Sequence, residues 1–195
     1  MLVTSTYLLD NNVISVAVRS DEARHQSVVN HLRAAGSNYI ALPTMAIAEI
    51  LDGQARVDLS GITLPPSGAA QRARLEQFLL DYPQQFPFDE FAMESYSLLR
   101  ARLFVDYANK RGRKFIEKVP EELTERMSGK SLGIDERDLI IASIAVAYNC
   151  ILATMDVNPG MKSIINAAKD LEQQGKSVYV QRIGQPENTC DTRRT

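Results

Sequence analysis

The run Ile134-Asp-Glu-Arg-Asp-Leu-Ile-Ile-Ala-Ser-Ile-Ala-Val-Ala147 constrains this chain more than any other stretch. From Leu139 onward it carries no charge, so as a helix it must be packed on nearly all sides. Its first turn, by contrast, holds Asp135, Glu136 and Asp138. Carboxylates at the start of a buried helix have a bland explanation and a sharper one. In the first, Asp135 is the N-cap and the positive end of the helix favours negative charge. In the second, Asp138 leans into a site that requires fixed negative charge. On this stretch alone capping is the commoner outcome, and the rest of the chain has to decide.

The neighbouring segments alternate between strand and helix character. Residues 4–9, Thr-Ser-Thr-Tyr-Leu-Leu, read as a short buried strand. Asp10-Asn-Asn12 stops it, and Val13 to Val18 opens a helix, with Asp10 itself a possible N-cap. Asp21 to Ala35 is amphipathic, started by Ser20 or Asp21 and closed by Gly36. Its His25 and His31 are six positions apart, a poor spacing for a helical metal pair, and are expected at the surface. A strand at 38–43 runs into a helix from Thr44, with Glu49 embedded among Met45, Ile47, Ala48, Ile50 and Leu51. A lone glutamate there is most often on a solvated face.

Gly53 to Gly68 reads as a loop, 69–82 as a helix, 86–88 as a short strand and 89–109 as a long helix. A short helix with proline in its first turn is expected from Pro120. After the 134–149 helix, 151–155 is a strand ended by Asp156-Val-Asn-Pro-Gly160. Helical segments at 161–173 then lead to a last strand at 177–181. One domain over 1–183 and a polar tail over 184–195 follow from this division.

Strands alternating with helices predict a central, mainly parallel sheet flanked by helices in three layers. That arrangement gathers the acids. Asp10 ends the first strand, Glu49 follows the second, Asp156 ends a later one, and Asp138 opens the buried helix. Carboxyl ends of parallel strands are where open α/β sheets place their ligands. Capping does not account for four carboxylates converging on one edge.

These residues also carry a resemblance. Leu8-Leu-Asp-Asn-Asn-Val-Ile-Ser15 resembles the opening motif of PIN domains, and Ala46-Ile-Ala-Glu-Ile50 their second acidic motif. Arg137-Asp-Leu-Ile-Ile-Ala-Ser143 is similar to the family's third motif, and Ile151-Leu-Ala-Thr-Met-Asp156 to its last acidic strand. The order matches across 4–181, and the nearest likeness is to the toxins of VapBC-type toxin–antitoxin pairs. Three positions depart from the pattern: Asn11 replaces a common threonine, Met155 replaces a frequent basic residue, and a helical insertion is expected around 105–133. The resemblance implies a PIN-like fold and a metal-dependent endoribonuclease, and the absence of a cysteine pattern for disulfides leads to the expectation of a reducing cytoplasm. The resemblance also implies a small antitoxin partner and a homodimer.

The chemistry of the residues agrees. Phosphodiester hydrolysis needs an activated water and shielding of phosphate charge, and divalent ions supply both. Hard Mg²⁺, or Mn²⁺ in its place, takes oxygen ligands, and without a cation neighbouring carboxylates repel and at least one pKa rises. Asp10 and Asp138 are expected as primary metal ligands. Glu49 is expected as a ligand or water orienter, Asp156 as ligand of a second or weaker ion, and Asn12 and Thr154 as residues orienting the carboxylates. The basic stretch Lys110, Arg111, Arg113 and Lys114 is a candidate grip on RNA phosphate, or else a solvated helix end and loop.

Other classes fit less well. A haloacid dehalogenase-type phosphatase needs a second Asp where Asn12 stands, no Gly-x-x-x-x-Gly-Lys loop is present, and neither histidine is near a strand end. A net charge of −2 argues against coating nucleic acid by bulk charge. No apolar run reaches the ~18 residues a membrane span needs, and no signal peptide is expected. Cys150 and Cys190 do not form a disulfide framework. A non-catalytic PIN-like module for RNA or protein binding and a DNA nuclease stay open as alternatives.

Overall fold

Seven short strands and the helices between them define the chain in a computed structural model that describes residues 6–172 and 179–182. Strand β1 (Tyr7–Leu9) is followed at once by α1 (Asn11–Val18), then by α2 (His25–Ala35), β2 (Ile40–Pro43), α3 (Thr44–Leu59) and α4 (Pro66–Asp81). After β3 (Gln85–Phe86) comes the long α5 (Glu90–Tyr107), and then the hairpin β4 (Lys110–Arg111) and β5 (Lys114–Phe115). The chain ends through α6 (Glu136–Ala147), β6 (Ile151–Thr154), α7 (Pro159–Glu172) and β7 (Tyr179–Arg182).

Five strands make one sheet in the order β3-β2-β1-β6-β7, and every pairing in it is parallel. The register sets Leu8 opposite both Ala41 and Leu152. Parallel strands covered on both faces read as continuous apolar runs. The four residues of β2 are accordingly all buried, as are Leu152, Ala153 and Thr154 of β6. Helix α6 is buried at Leu139 and from Ile141 to Val146, as its sequence demands, and packs along α5. The two run antiparallel. Tyr148 at the C-cap of α6 donates to Asp89, the N-cap of α5, at 2.5 Å, and Tyr96 and Arg100 further along α5 reach Glu136 in the first turn of α6.

Several boundaries differ from the sequence reading. Helix α2 starts at His25 after a turn and not at Asp21, and its N-cap position is Arg24, whose side chain makes no cap bond. Gly36, at a φ of 82°, closes it as expected. Helix α3 runs through Gly53 to Leu59, where a loop was expected. An Asp52–Arg56 ion pair of 2.7 Å, one turn apart, supports that exposed extension. Pro66 opens α4, three residues earlier than expected, because its missing N–H costs nothing at a helix start.

The largest correction concerns 105–133. Apart from the last residues of α5 and a 3₁₀ turn that starts at Pro120 as expected, the segment is not helical. Beyond the end of α5 it holds the β4–β5 hairpin, one 3₁₀ turn at Pro120–Glu122 and an isolated bridge from Thr124 to Ser131. Glycines decide this. Gly112 and Gly129 sit at φ values of 64° and 66°, left-handed backbone that turns the chain back where a helix would run on. The expected tail at 184–195, together with Cys190, lies outside the described residues.

Candidate active site

Asp10 is the first residue beyond β1, and its backbone N–H still continues the ladder to Ala153 O at 2.9 Å. Its carboxylate caps α1, accepting from Asn11 N at 2.6 Å. The other oxygen accepts from Thr154 Oγ1 at 2.7 Å and from Asn12 Nδ2 at 2.8 Å. Asn12 and Thr154 are themselves joined at 3.3 Å, and Asn12 Oδ1 takes the Met155 N–H at 3.0 Å. Asp10, only 3% exposed, is therefore held on both oxygens by β1, α1 and β6 together. Burial pushes its carboxyl up, the bonds from Thr154 and Asn11 pull it down, and the charges of Asp156 and Glu49 raise it again.

Asp138 lies in the first turn of α6, behind the N-cap Asp135, whose carboxylate accepts from Arg137 N at 2.8 Å. Burial, then the nearby charges of Asp10, Asp135, Asp156 and Glu49, push the Asp138 carboxyl up to about 7. Asp10, Glu49 and Asp138 line one pocket, and Thr154 Oγ1, which donates to Asp10, also accepts from Asp156 N at 3.0 Å.

Glu49 extends from α3, and both of its oxygens have partners. Oε1 meets Arg137 Nη1 at 2.7 Å, and Oε2 accepts from Asn11 Nδ2 at 3.1 Å. Asp156 follows β6 and is gripped by Asn158, from its N–H at 2.8 Å and from Nδ2 at 2.6 Å. Asn158 Oδ1 then caps α7 by accepting from Met161 N at 2.7 Å. An open pocket of about 350 Å³ is lined by Asp10, Asn12, Glu49, Arg137 and Asp138 among others, while Asp156 stands just outside it.

The structure thus gathers Asp10, Glu49, Asp138 and Asp156, with Asn12 and Thr154 bonded to Asp10. It does not bring the basic stretch into this pocket. Lys110, Arg111, Arg113 and Lys114 are exposed on the β4–β5 hairpin, with Lys110 Nζ 5.1 Å above the Phe115 ring. The hairpin packs through Phe115 on Phe104 of α5, and the chain after it runs to the first turn of α6. The segment after it contacts that turn through Glu121, which accepts from Glu136 N at 3.1 Å, and Arg100 bridges from Glu136 to Lys118 O. His25 and His31 are half-buried and bond backbone carbonyls of Val16 and Ser27, so they are spent on structure and not fully at the surface as expected.

Sequence reasoning missed Arg137 and Asn158 as partners of the acids. Asn158 had a legible signal, since Asp-x-Asn ahead of Pro-Gly is an Asx-turn pattern. Arg137 had little, because the direction of its side chain depends on where α3 packs.

A parallel α/β sheet with an acid cluster at the carboxyl ends of its central strands is the architecture of a site for phosphate-bearing ligands and cations. The profile of the PIN domain matches residues 7–160, and the chain belongs to that family. No curated protein sequence matches it. Among solved structures it is similar to VapBC2 from Rickettsia felis bound to a DNA fragment from their promoter. The TM-score is 0.57 at 19% identity, over 91% of this chain and 98% of that one. It is also similar to FitAcB from Neisseria gonorrhoeae, with a TM-score of 0.55 at 20% identity over 89% and 96% of the two chains. FitAB bound to an IR36 DNA fragment gives 0.58 at 21% identity over 94% and 99%. At these identities the likeness is one of fold.

Proposed function

We propose that this protein is a metal-dependent endoribonuclease that hydrolyses RNA phosphodiester bonds and acts as the toxin of a toxin–antitoxin pair. The observation that carries the reading is Asp10, a buried carboxylate that lines one pocket with Glu49 and Asp138 and is joined through Thr154 to Asp156. A scaffold gains nothing from the repulsion among these carboxylates, and a cation relieves it.

The residues fit a hard divalent ion. All the donors are oxygens, and Mg²⁺ needs only one or two carboxylates because it keeps waters and takes substrate phosphate. Asp10 and Asp138 provide two, and no hydrogen bond occupies Asp138 among the described residues. No three acids already stand as a ready ligand group among those residues, with Glu49 held by Arg137 and Asn11 and Asp156 by Asn158. When bound, Mg²⁺, or Mn²⁺ in its place, supplies a polarised water and shields phosphate charge. Thr154 and Asn12 fix the Asp10 carboxylate. Glu49 orients the attacking water or ligates, and Asp156 serves a second or weaker ion. The exposed Lys110, Arg111, Arg113 and Lys114 grip the RNA backbone.

The antitoxin part of the reading is supported by the neighbours, which are VapBC and FitAB complexes, and by a groove of about 390 Å³ between α1, α3 and α4. Ile14, Val18, Ile50, Val57, Leu64 and Leu75 line it, and it shares Asn11, Ser15 and Glu49 with the acid pocket. An apolar segment of a small partner laid there reaches the acids directly. Homodimerisation belongs to the same reading and is read by sedimentation of the purified chain.

The test is cleavage of RNA, and of DNA of the same sequence, with Mg²⁺, Mn²⁺ or EDTA, beside Asp10→Asn and Asp138→Asn. Metal-dependent cutting of RNA that both variants lose supports the proposal. Full activity in both variants, or cutting of DNA alone, overturns it. Asp138→Asn is expected to melt no lower than the wild type in EDTA, since it removes a repelled charge that no hydrogen bond holds.

A further inference from the structure

Among the described residues Arg137 is the one cation that lines the acid pocket, and its setting is built. The Asp135 carboxylate forks its guanidinium, with Nε 2.9 Å from Oδ1 and Nη2 2.5 Å from Oδ2. Asp135 is itself fixed as the N-cap of α6. The fork leaves Nη1 as the free corner, and that corner is the one 2.7 Å from Glu49 Oε1. A planar guanidinium held on two nitrogens has little freedom left in the third, so the contact with Glu49 is preorganised. The two ends differ in exposure: the Glu49 side chain is 18% exposed and the Arg137 side chain 55%. Arg137 therefore has an open path away from the pocket, whereas Glu49 does not.

We propose that Arg137 is an internal counterion that occupies Glu49 in the cation-free protein and releases it when a divalent ion enters the pocket. The inference rests on the nuclease reading above and adds a positioning residue to it. Two physical effects act in the same direction. The guanidinium takes an oxygen that a metal would ligate, and its charge repels an incoming cation in a half-enclosed site. Release from Glu49 also frees a cation at the mouth of the pocket, aimed where an anionic substrate oxygen would lie.

The opposite role is equally concrete: Arg137 could orient Glu49 as a ligand, in which case its loss would weaken metal binding. Calorimetric titration of MnCl₂ into EDTA-treated, dialysed protein separates the two without reference to cleavage. Arg137→Ala is expected to bind Mn²⁺ at least about tenfold more tightly than the wild type. Arg137→Lys, which keeps the charge but loses the fork, is expected to fall between them. In a Glu49→Gln background the gain from Arg137→Ala is expected to shrink, because no carboxylate remains to be released. Unchanged or weaker Mn²⁺ binding in Arg137→Ala, with wild-type binding intact, overturns this inference and leaves the nuclease reading standing. No Mn²⁺ binding by the wild type or any variant overturns both.

Discussion

Thr154 Oγ1 donates a 2.7 Å hydrogen bond to Asp10 Oδ2 across 144 positions of sequence, joining β6 to the end of β1 inside the core. Thr154 is fully buried and Asp10 nearly so. The bond and the sheet register are one fact, since Leu9 pairs with Ala153 and places the next residues of each strand side by side.

Replacing Thr154 by Val keeps the shape and removes the donor. A buried bond to a charged group is worth about 1.5–3 kcal/mol. The variant is expected to unfold at lower denaturant near neutral pH, with an unchanged slope, in urea titrations. Its Asp10 carboxyl is expected to rise further, since the bond from Thr154 holds it down.

Gly160, at the start of α7, has no room for a side chain. An added Cβ would stand 2.5 Å from Gly133 O and 2.9 Å from Ile134 N. The obstacle is backbone, in the loop that enters α6. Gly160→Ala is expected to cost about 1–3 kcal/mol through the shift it forces, and to lower the melting temperature. A melt equal to the wild type would show that the two segments separate freely.

Asp89 connects acid pH to helix packing. The hydrogen bond from Tyr148, and then the amide of Ala92, hold its carboxyl below the ordinary range, while the Tyr148 hydroxyl is pushed up to about 12. A carboxyl depressed in the folded state contributes stability above its unfolded value and loses it as pH falls through the folded one. Asp89→Ala is expected to melt below the wild type at neutral pH, with the gap closing toward about pH 3. A gap that persists at low pH would assign the loss to packing.

The β4–β5 hairpin predicts a salt dependence. Changing Lys110, Arg111, Arg113 and Lys114 to Ala is expected to weaken binding of single-stranded RNA across sequences. The slope of log affinity against log salt is expected to fall by up to about 3. The Asp138→Asn background keeps the RNA intact during the measurement. Unchanged affinity and slope would leave the hairpin as a solvated surface.

Much of the acid site was legible before any coordinates. Asp10 and Asp156 follow apolar runs too short to be anything but buried strands, and Asp138 heads a helix with no polar face. Parallel topology then forces their convergence. The hairpin was not legible: Lys110 to Lys114 reads as a solvated helix end and loop after 109, and only the left-handed Gly112 turns it back into a paired strand. The continuation of α3 through Gly53 was missed because glycine is a weak signal against an exposed helix whose ion pairs are visible only once it is built.

The sequence by itself determined the strand–helix alternation, the burial of α6 and the identity of the acids, because periodicity and apolar content are local properties that parallel pairing reads directly. Only the tertiary structure decided which acids are free and which are held. Arg137 reaches Glu49 because α3 packs against the start of α6, and Asn158 rather than a neighbour from afar closes on Asp156. The Arg137–Glu49 pair depends on distances between elements far apart in sequence that no local pattern encodes, whereas the Asp156–Asn158 turn is local and needed only its neighbours.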